Sequence, residues 1–348
     1  MCSKLYSLAM VNYDFLKDYI YISDLIGYLK RYCDRIDFIT VPKEISEEEL
    51  AKVLQGYHFL IVSTYPRYGR KFFELNKDVL LVFRFGLGYD NVDIKAAEEL
   101  GVAVARIPPY VEREAVAEHT VALILTSLRR ITKADKLVKI GKIRVAVYDT
   151  KFINELAGPK DLSEAVVGIM GFGNIGSRVA EILIKGFNSK VLAYDPYVPK
   201  EKMLQMGSEP VNSLTELFER SDIVSIHAPL TKETYHAVNK EILSKAKRGL
   251  IIVNTARGEI IDTEALIWAL KEGIVDFVAL DVVEGEPIPP DHPLLKFDNV
   301  IVAPHMAVFT HTTLRKMFKA AVNAIVNYIE GKSIEEQLAT PKTPRLRP

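Results

Sequence analysis

Residues Val166 to Glu181, VVGIMGFGNIGSRVAE, read together with Asp195, constrain the fold of this chain more than any other stretch. The apolar run Val166, Val167, Ile169, Met170 breaks into Gly171-Phe172-Gly173-Asn174-Ile175-Gly176, and a helical pattern of Val179, Ala180, Ile182 and Leu183 follows at once. That order predicts strand, tight turn and helix. The first glycine permits the turn, the second lets backbone approach a pyrophosphate, and the third lets helix pack close to strand; the phosphates then face the unpaired amides of the helix N-terminus. A second apolar run, Val191 to Tyr194, ends in Asp195, at the spacing of roughly 20 residues where a carboxylate takes the ribose hydroxyls. A carboxylate there repels a 2′-phosphate, so NAD is expected rather than NADP. Taken alone, Asp195 is also an ordinary turn residue before Pro196.

A chain of 348 residues can hold two domains, each with its own core. Its 45 basic and 45 acidic residues cancel, so no global field favours nucleic acid or an anionic membrane, and a small ligand is the better expectation. Two cysteines, Cys2 and Cys33, give no disulfide framework and fit a reducing compartment. No apolar run approaches the roughly 18 residues of a membrane span, and the first residues, MCSKLYSLAMVNYDF, lack the apolar core of a signal peptide. A soluble, cytoplasmic protein is expected, and no metal site.

Along the chain, short apolar runs alternate with helical patterns. Strands are expected at Leu5 to Val11, Ile36 to Val41, Phe59 to Ser63 and Val79 to Phe83, with helices over Asp14 to Lys30, from Ser46, and at IKAAEEL between Asp93 and Gly101. Ser46 with Glu49 forms a capping box. Such alternation implies a parallel sheet covered by helices. Glu112 to Arg130 reads as a long helix that is apolar almost all round, hence buried between domains or in a subunit interface. A second α/β unit begins near Val166 and continues through Asp222 to Ile226, Leu250 to Val253, Val278 to Leu280 and Val300 to Val302; the helix from Thr312 to Ile329 then crosses back onto the first. The ending ATPKTPRLRP, proline-rich and basic, is expected to be disordered.

In an open parallel sheet, ligands bind beyond the carboxyl ends of the strands. That filter selects GLGYDN (residues 86–91), His227-Ala228-Pro229, Thr255-Ala256-Arg257-Gly258, the stretch Asp281 to Glu286, and Pro304-His305. Reduction of a 2-oxo acid with a nicotinamide needs one proton donor and a group that polarises the carbonyl. His305 suits the donor, Glu286 its stabilising partner, and Arg257 the planar fork for carboxylate and carbonyl oxygens. Gly86 and Gly88 can present backbone amides to the substrate carboxylate. Singly, each has an ordinary reading: a loop histidine, a solvated acid, a surface ion pair. Tyr89 and Asp90 are explained equally by a turn, and His119 by a hydrogen-bonded place in the core.

These residues resemble the D-isomer-specific 2-hydroxyacid dehydrogenase family from about Val79 to about Gly331. The segments are FGLGYDNVD, EAVAEHTVALIL, MGFGNIGSRVAEIL with AYDPY, DIVSIHAPLTKETYHAVN, LIIVNTARGEIIDTEAL, FVALDVVEGEP and NVIVAPHMA. The resemblance implies Arg257 for substrate binding and polarisation, His305 as acid/base with Glu286 as its partner, Leu87 and Gly88 amides on the substrate carboxylate, and Asp281 on the nicotinamide carboxamide. It implies a cofactor lined by Gly171, Gly173, Asn174, Ile175, Gly176, Asp195, His227, Ala228, Pro229, Thr234, Thr255 and Ala256. It further implies two doubly wound parallel-sheet α/β domains, a Rossmann-type NAD domain (113–306) inserted into a flavodoxin-like substrate domain (1–112 and 307–348). The long helix would build a homodimer, and the cleft between domains would close on the substrate.

The branch signals differ. Ala307-Val308-Phe309-Thr310 and Tyr110 resemble the D-lactate dehydrogenase branch, although Val111 replaces its usual serine; Arg84 in FRFGLGYDN resembles the phosphoglycerate and glyoxylate/hydroxypyruvate branches. Arg84 and Tyr110 are therefore candidate substrate contacts, with Arg84 read either as a charge for a phosphorylated or dicarboxylic substrate or as an ion pair at a strand end. Small unphosphorylated 2-oxo acids (pyruvate, glyoxylate, hydroxypyruvate) are expected. The alternatives are phosphoglycerate dehydrogenase-type activity and an NAD(H)-sensing, corepressor-like protein on the same scaffold.

Overall fold

The computed structural model describes residues 6–143 and 152–345; Cys2, Leu5 and the last three residues of the tail lie outside them. The chain divides into two compact units, residues 1–112 with 309–348, and residues 113–308. Among the described residues the first unit holds β1 (Tyr6–Val11), β2 (Cys33–Ile39), β3 (Phe59–Val62), β4 (Leu81–Arg84), β5 (Ala103–Arg106) and β13 (Gln337–Ala339). Their order in the sheet is β13-β5-β4-β3-β1-β2, parallel except for β13. Without that edge strand it is the 2-1-3-4-5 order of flavodoxin-like sheets.

Burial explains the strands. β1, β3 and β4 are buried at every residue, as parallel strands covered on both faces must be. Ser46 accepts from Glu49 N and closes the expected capping box, and Asp93 caps the helix Ile94–Glu99 by accepting from Ala96 N. The expected helix over Asp14 to Lys30 is instead two 3-10 turns, Asp14–Leu16 and Ile20–Ile22, and a short helix, Ser23–Leu29. The run Tyr19-Ile20-Tyr21-Ile22 is aromatic and β-branched, the types that lose most side-chain freedom in a helix. The helix His311–Glu330 belongs to the first unit, where Arg315 holds Asp24 with two hydrogen bonds of 2.8 and 2.7 Å.

The second unit carries β6 (Val166–Met170), β7 (Lys190–Tyr194), β8 (Glu209–Pro210), β9 (Ile223–Ile226), β10 (Leu250–Asn254), β11 (Val275–Leu280) and β12 (Val300–Val302). Their order is β12-β11-β10-β9-β6-β7-β8, all parallel. This is the 3-2-1-4-5-6 Rossmann arrangement with one strand more. The strand order reverses at β6, so the crevice for a ligand opens where β6 and β9 end. β8 went unread because two residues, one a proline confined to sheet edges, leave no alternation. The long helix, Pro109–Leu128, lays Ala117, Val121, Ile124 and Leu128 against Val167, Ile169, Val253 and Ala279. Much of its apolar surface therefore covers the second unit's own sheet.

Candidate active site

The glycine turn behaves as its spacing predicts. Gly171 has a φ of +91°, in the left-handed region, and a Cβ on it would come within 2.6 Å of Ala228 N. A Cβ on Gly176 would meet Gly171 O at 2.0 Å, so only glycine lets the helix Asn174–Phe187 lie this close to β6. Gly173 is the opposite case: a Cβ there meets nothing within 4 Å, which leaves the helix N-terminus open for a pyrophosphate. Phe172 N donates to Asp195 Oδ2 at 2.8 Å and Tyr197 N to Oδ1 at 2.9 Å, fixing the carboxylate at the end of β7 beside the turn. An open cradle, a helix N-terminus and an acid at the second strand end together fit a dinucleotide with free ribose hydroxyls.

Around it, the loops after β9 and β10 are tied by their own side chains. Thr234 Oγ1 donates to Pro229 O at 2.6 Å and accepts from Thr231 N at 2.7 Å. His227 follows β9; Ser225 Oγ lies 2.8 Å from its Nε2, and burial drives its pKa down to about 3, so the ring is neutral at ordinary pH. Thr255 Oγ1 meets Thr120 Oγ1 at 2.9 Å. Asn254, completely buried, accepts from Ala256 N and donates to Arg257 O, both under 3 Å, so it sets the loop that presents Arg257. Sequence reasoning passed over Asn254, although a polar side chain closing an apolar strand is a usable signal.

His305 and Glu286, 19 residues apart in sequence, meet with Nδ1 and Oε1 at 2.5 Å; both side chains are about one-third exposed. His305 has a φ of 53°, a left-handed conformation that non-glycine residues rarely adopt and that persists only under restraint. Asp281 supplies the restraint. Its carbonyl accepts from His305 N at 2.8 Å, and its carboxylate accepts from Met306 N at 2.9 Å and Ala307 N at 3.0 Å. His119 Nε2 lies 3.3 Å from the same carboxylate. Burial alone would raise the Asp281 carboxyl, but His119 and the two amides outweigh it and hold its pKa below the usual value.

The resemblance implies Asp281 at the nicotinamide carboxamide; in the structure its carboxylate, 1% exposed, is engaged by the histidine turn. His119 takes the hydrogen-bonded place expected of it, with Asp281 as its partner and its ring partly exposed.

In the first unit, Leu87 and Gly88 stand in the loop after β4, both partly exposed. Arg84, read either as a substrate charge or as an ion pair at a strand end, is 3% exposed and packs beneath this loop: a Cβ on Gly86 would lie 2.6 Å from its Nη1. It also hydrogen-bonds Tyr13, whose pKa burial raises to about 12. Tyr110 is 61% exposed, its hydroxyl 3.3 Å from Glu335 Oε2.

Comparison with known proteins identifies the family. A family model described as D-isomer specific 2-hydroxyacid dehydrogenase, NAD binding domain, matches residues 121–307. The glyoxylate reductase of Thermofilum pendens is 36% identical over 307 residues, covering 88% of this chain and 88% of its own length. The D-3-phosphoglycerate dehydrogenase of Archaeoglobus fulgidus is 36% identical over 304 residues, covering 87% of this chain and 55% of its own. The crystal structure of D-lactate dehydrogenase from Aquifex aeolicus, complexed with NAD and lactic acid, has a TM-score of 0.77 at 29% identity, covering 93% of this chain and 96% of that one. The chain therefore belongs to the D-isomer specific 2-hydroxyacid dehydrogenase family and is an NAD-dependent oxidoreductase of 2-hydroxy acids.

Proposed function

We propose that this enzyme interconverts a small unphosphorylated 2-oxo acid, of the glyoxylate, hydroxypyruvate or pyruvate type, with its D-2-hydroxy acid. The observation that carries the reading is the 2.5 Å contact between Glu286 Oε1 and His305 Nδ1. With Nδ1 engaged, Nε2 is the ring atom left to give a proton to the carbonyl oxygen, and the carboxylate stabilises the ring that carries it. Arg257, at the end of the loop that Asn254 sets, takes the substrate oxygens and polarises the C=O as charge grows on it. The Leu87 and Gly88 amides take the substrate carboxylate. NADH, when bound, supplies the hydride. The Gly171–Gly176 turn, Asn174 and Ile175 hold its pyrophosphate, Asp195 its ribose, and His227, Ala228, Pro229, Thr234, Thr255 and Ala256 line its path.

Burial of Arg84 beneath its own loop speaks against a phosphate contact there, and so against a phosphorylated substrate. Tyr110, by contrast, keeps an exposed ring for the substrate side. The helix Ile131–Lys139 buries none of its residues, with Ile131 and Val138 about half exposed, which supports a homodimer through this region. Among the described residues no helix is long and apolar enough to cross a membrane, in keeping with a cytoplasmic place.

The test is NADH oxidation with glyoxylate, hydroxypyruvate, pyruvate and 3-phosphohydroxypyruvate. Turnover is expected with at least one of the first three and least with the last. His305→Gln is expected to lower kcat by about 10²- to 10⁴-fold with NADH affinity unchanged. Tight NADH binding without turnover of any acid would favour the sensor reading instead.

A further inference from the structure

The second unit contains another histidine–carboxylate pair that no part of the catalytic reading uses. His236 Nε2 lies 2.6 Å from Glu284 Oε1, and Glu284 Oε2 accepts from Thr263 N at 3.2 Å. Both side chains are more than two-thirds buried. Glu284 stands two residues before Glu286 in one tight turn: Glu286 N donates to Val283 O at 3.1 Å, and Val283 N donates back to Glu286 Oε2 at 3.2 Å. Thus one turn carries two carboxylates, one reaching His305 and the other reaching His236.

The outer contact is anchored on other elements of the unit. His236 takes a left-handed backbone, φ 50°, and its N–H donates to Glu259 O at 2.9 Å. Tyr235 stacks on its ring with centroids 4.1 Å apart and planes 15° from parallel. Thr263 opens the helix Thr263–Lys271, so Glu284 Oε2 also rests on a helix N-terminus. From below, Gly258, the residue after Arg257, presses on the turn so closely that a Cβ there would lie 2.1 Å from Val283 C and 2.2 Å from Glu284 N. The centre of the turn is Gly285, exposed and at φ 76°, the residue type that resists bending least. Burial opposes ionisation of Glu284, but the bonds from His236 and Thr263 outweigh it and keep the carboxylate charged.

We propose that the His236–Glu284 pair is a positioning clamp on the acid/base: by fixing the turn from outside, it sets where Glu286 meets His305. The inference rests on the reading of His305 as the acid/base. Neither His236 nor Glu284 touches a reacting atom; both act through Glu286.

The test compares Glu284→Ala, Glu284→Gln and His236→Ala in the full-length enzyme with the best 2-oxo acid of the panel, with NADH titration showing that each variant is folded. Glu284→Ala and His236→Ala should each lower kcat between about 10-fold and about 100-fold, the usual effect of a small misplacement near reacting groups, with the substrate KM and the NADH Kd within twofold. Glu284→Gln retains an oxygen for Thr263 N and an amide for the His236 ring, and should recover most of kcat. The double variant should be no slower than either single one, because both remove the same contact. Wild-type kcat in Glu284→Ala and His236→Ala, a Gln variant as slow as the Ala variant, or additive losses would overturn the clamp. Should Glu284→Ala fail to bind NADH, His236→Ala and Glu284→Gln decide alone. His305→Gln run alongside separates the two levels: its inactivity with wild-type Glu284→Ala removes only the clamp, whereas wild-type kcat in His305→Gln removes the acid/base reading and the clamp with it.

Discussion

At the scale of single residues, the glycine turn separates folding from binding. Gly173→Ala adds a methyl group where nothing lies within 4 Å, so thermal stability should stay within about 1 °C of wild type while NADH affinity falls at least about tenfold, because the methyl occupies the phosphate approach. Gly176→Ala places its methyl 2.0 Å from Gly171 O and should cost about 2 kcal/mol or more of stability. Thermal unfolding with and without NADH checks both; equal effects of the two substitutions on stability would contradict the division of roles. His227 adds a pH dependence. Burial lowers its folded pKa to about 3, against about 6.5 in an unfolded chain. Above pH 6.5 both states are neutral there and stability is complete. As pH falls from 6.5 toward 3, the unfolded chain takes a proton that the native state refuses, so stability declines. The ring is partly open to solvent, which makes the full span an upper bound. Between pH 6.5 and 5.5 the wild type should lose about 1 kcal/mol more than His227→Gln in denaturant titrations; parallel curves would show that the ring is not held neutral.

At the scale of elements, the largest departure from expectation is the C-terminal segment. The proline-rich, basic composition of its last ten residues suggests disorder, yet among the described ones Arg345 is sewn into the first unit, just after β13 pairs antiparallel with β5. The Arg345 guanidinium donates to Phe73 O, to Asn76 O at 2.5 Å, to Val79 O at 3.0 Å and to Leu100 O at 2.8 Å, while its backbone N–H donates to Gly101 O at 3.0 Å. Several of these carbonyls end the helices Arg70–Leu75 and Ile94–Glu99. A helix C-terminus leaves carbonyls without partners and carries partial negative charge, so one planar cation satisfies two helix ends at once. Arg345→Ala should lower stability by about 3 kcal/mol, read as an early unfolding transition. Arg345→Lys, a point charge without the fork, should recover less than half of it. An unchanged melting profile for Arg345→Ala would show that the clasp is decorative. Composition could not foretell this, because it counts residue types and says nothing of the carbonyls awaiting them.

At the scale of the whole molecule, the second unit is continuous in sequence and has a hydrophobic cluster on each face of its seven-stranded sheet. Residues 113–308 expressed alone should therefore fold and bind NADH, yet reduce no 2-oxo acid if the proposed Leu87 and Gly88 substrate contacts are needed, since the fragment lacks them. A fragment that failed to bind NADH while folded would contradict the assignment of the cofactor site to this unit. The sequence by itself determined the α/β class and the dinucleotide turn, because strand alternation and glycine spacing are local properties that survive in a string of letters. It also offered Arg257, Glu286 and His305 as candidates, since ligand sites of parallel sheets gather at strand ends, and the structure brings the last two into contact. Only the tertiary structure decided that Asp281 faces inward to brace His305, that Arg84 lies under its loop, that Arg345 is a clasp, and that Glu284 pairs with His236. Each of these joins side chains to partners far along the chain or on another turn, and such contacts are set by how elements pack rather than by any spacing that can be read in order.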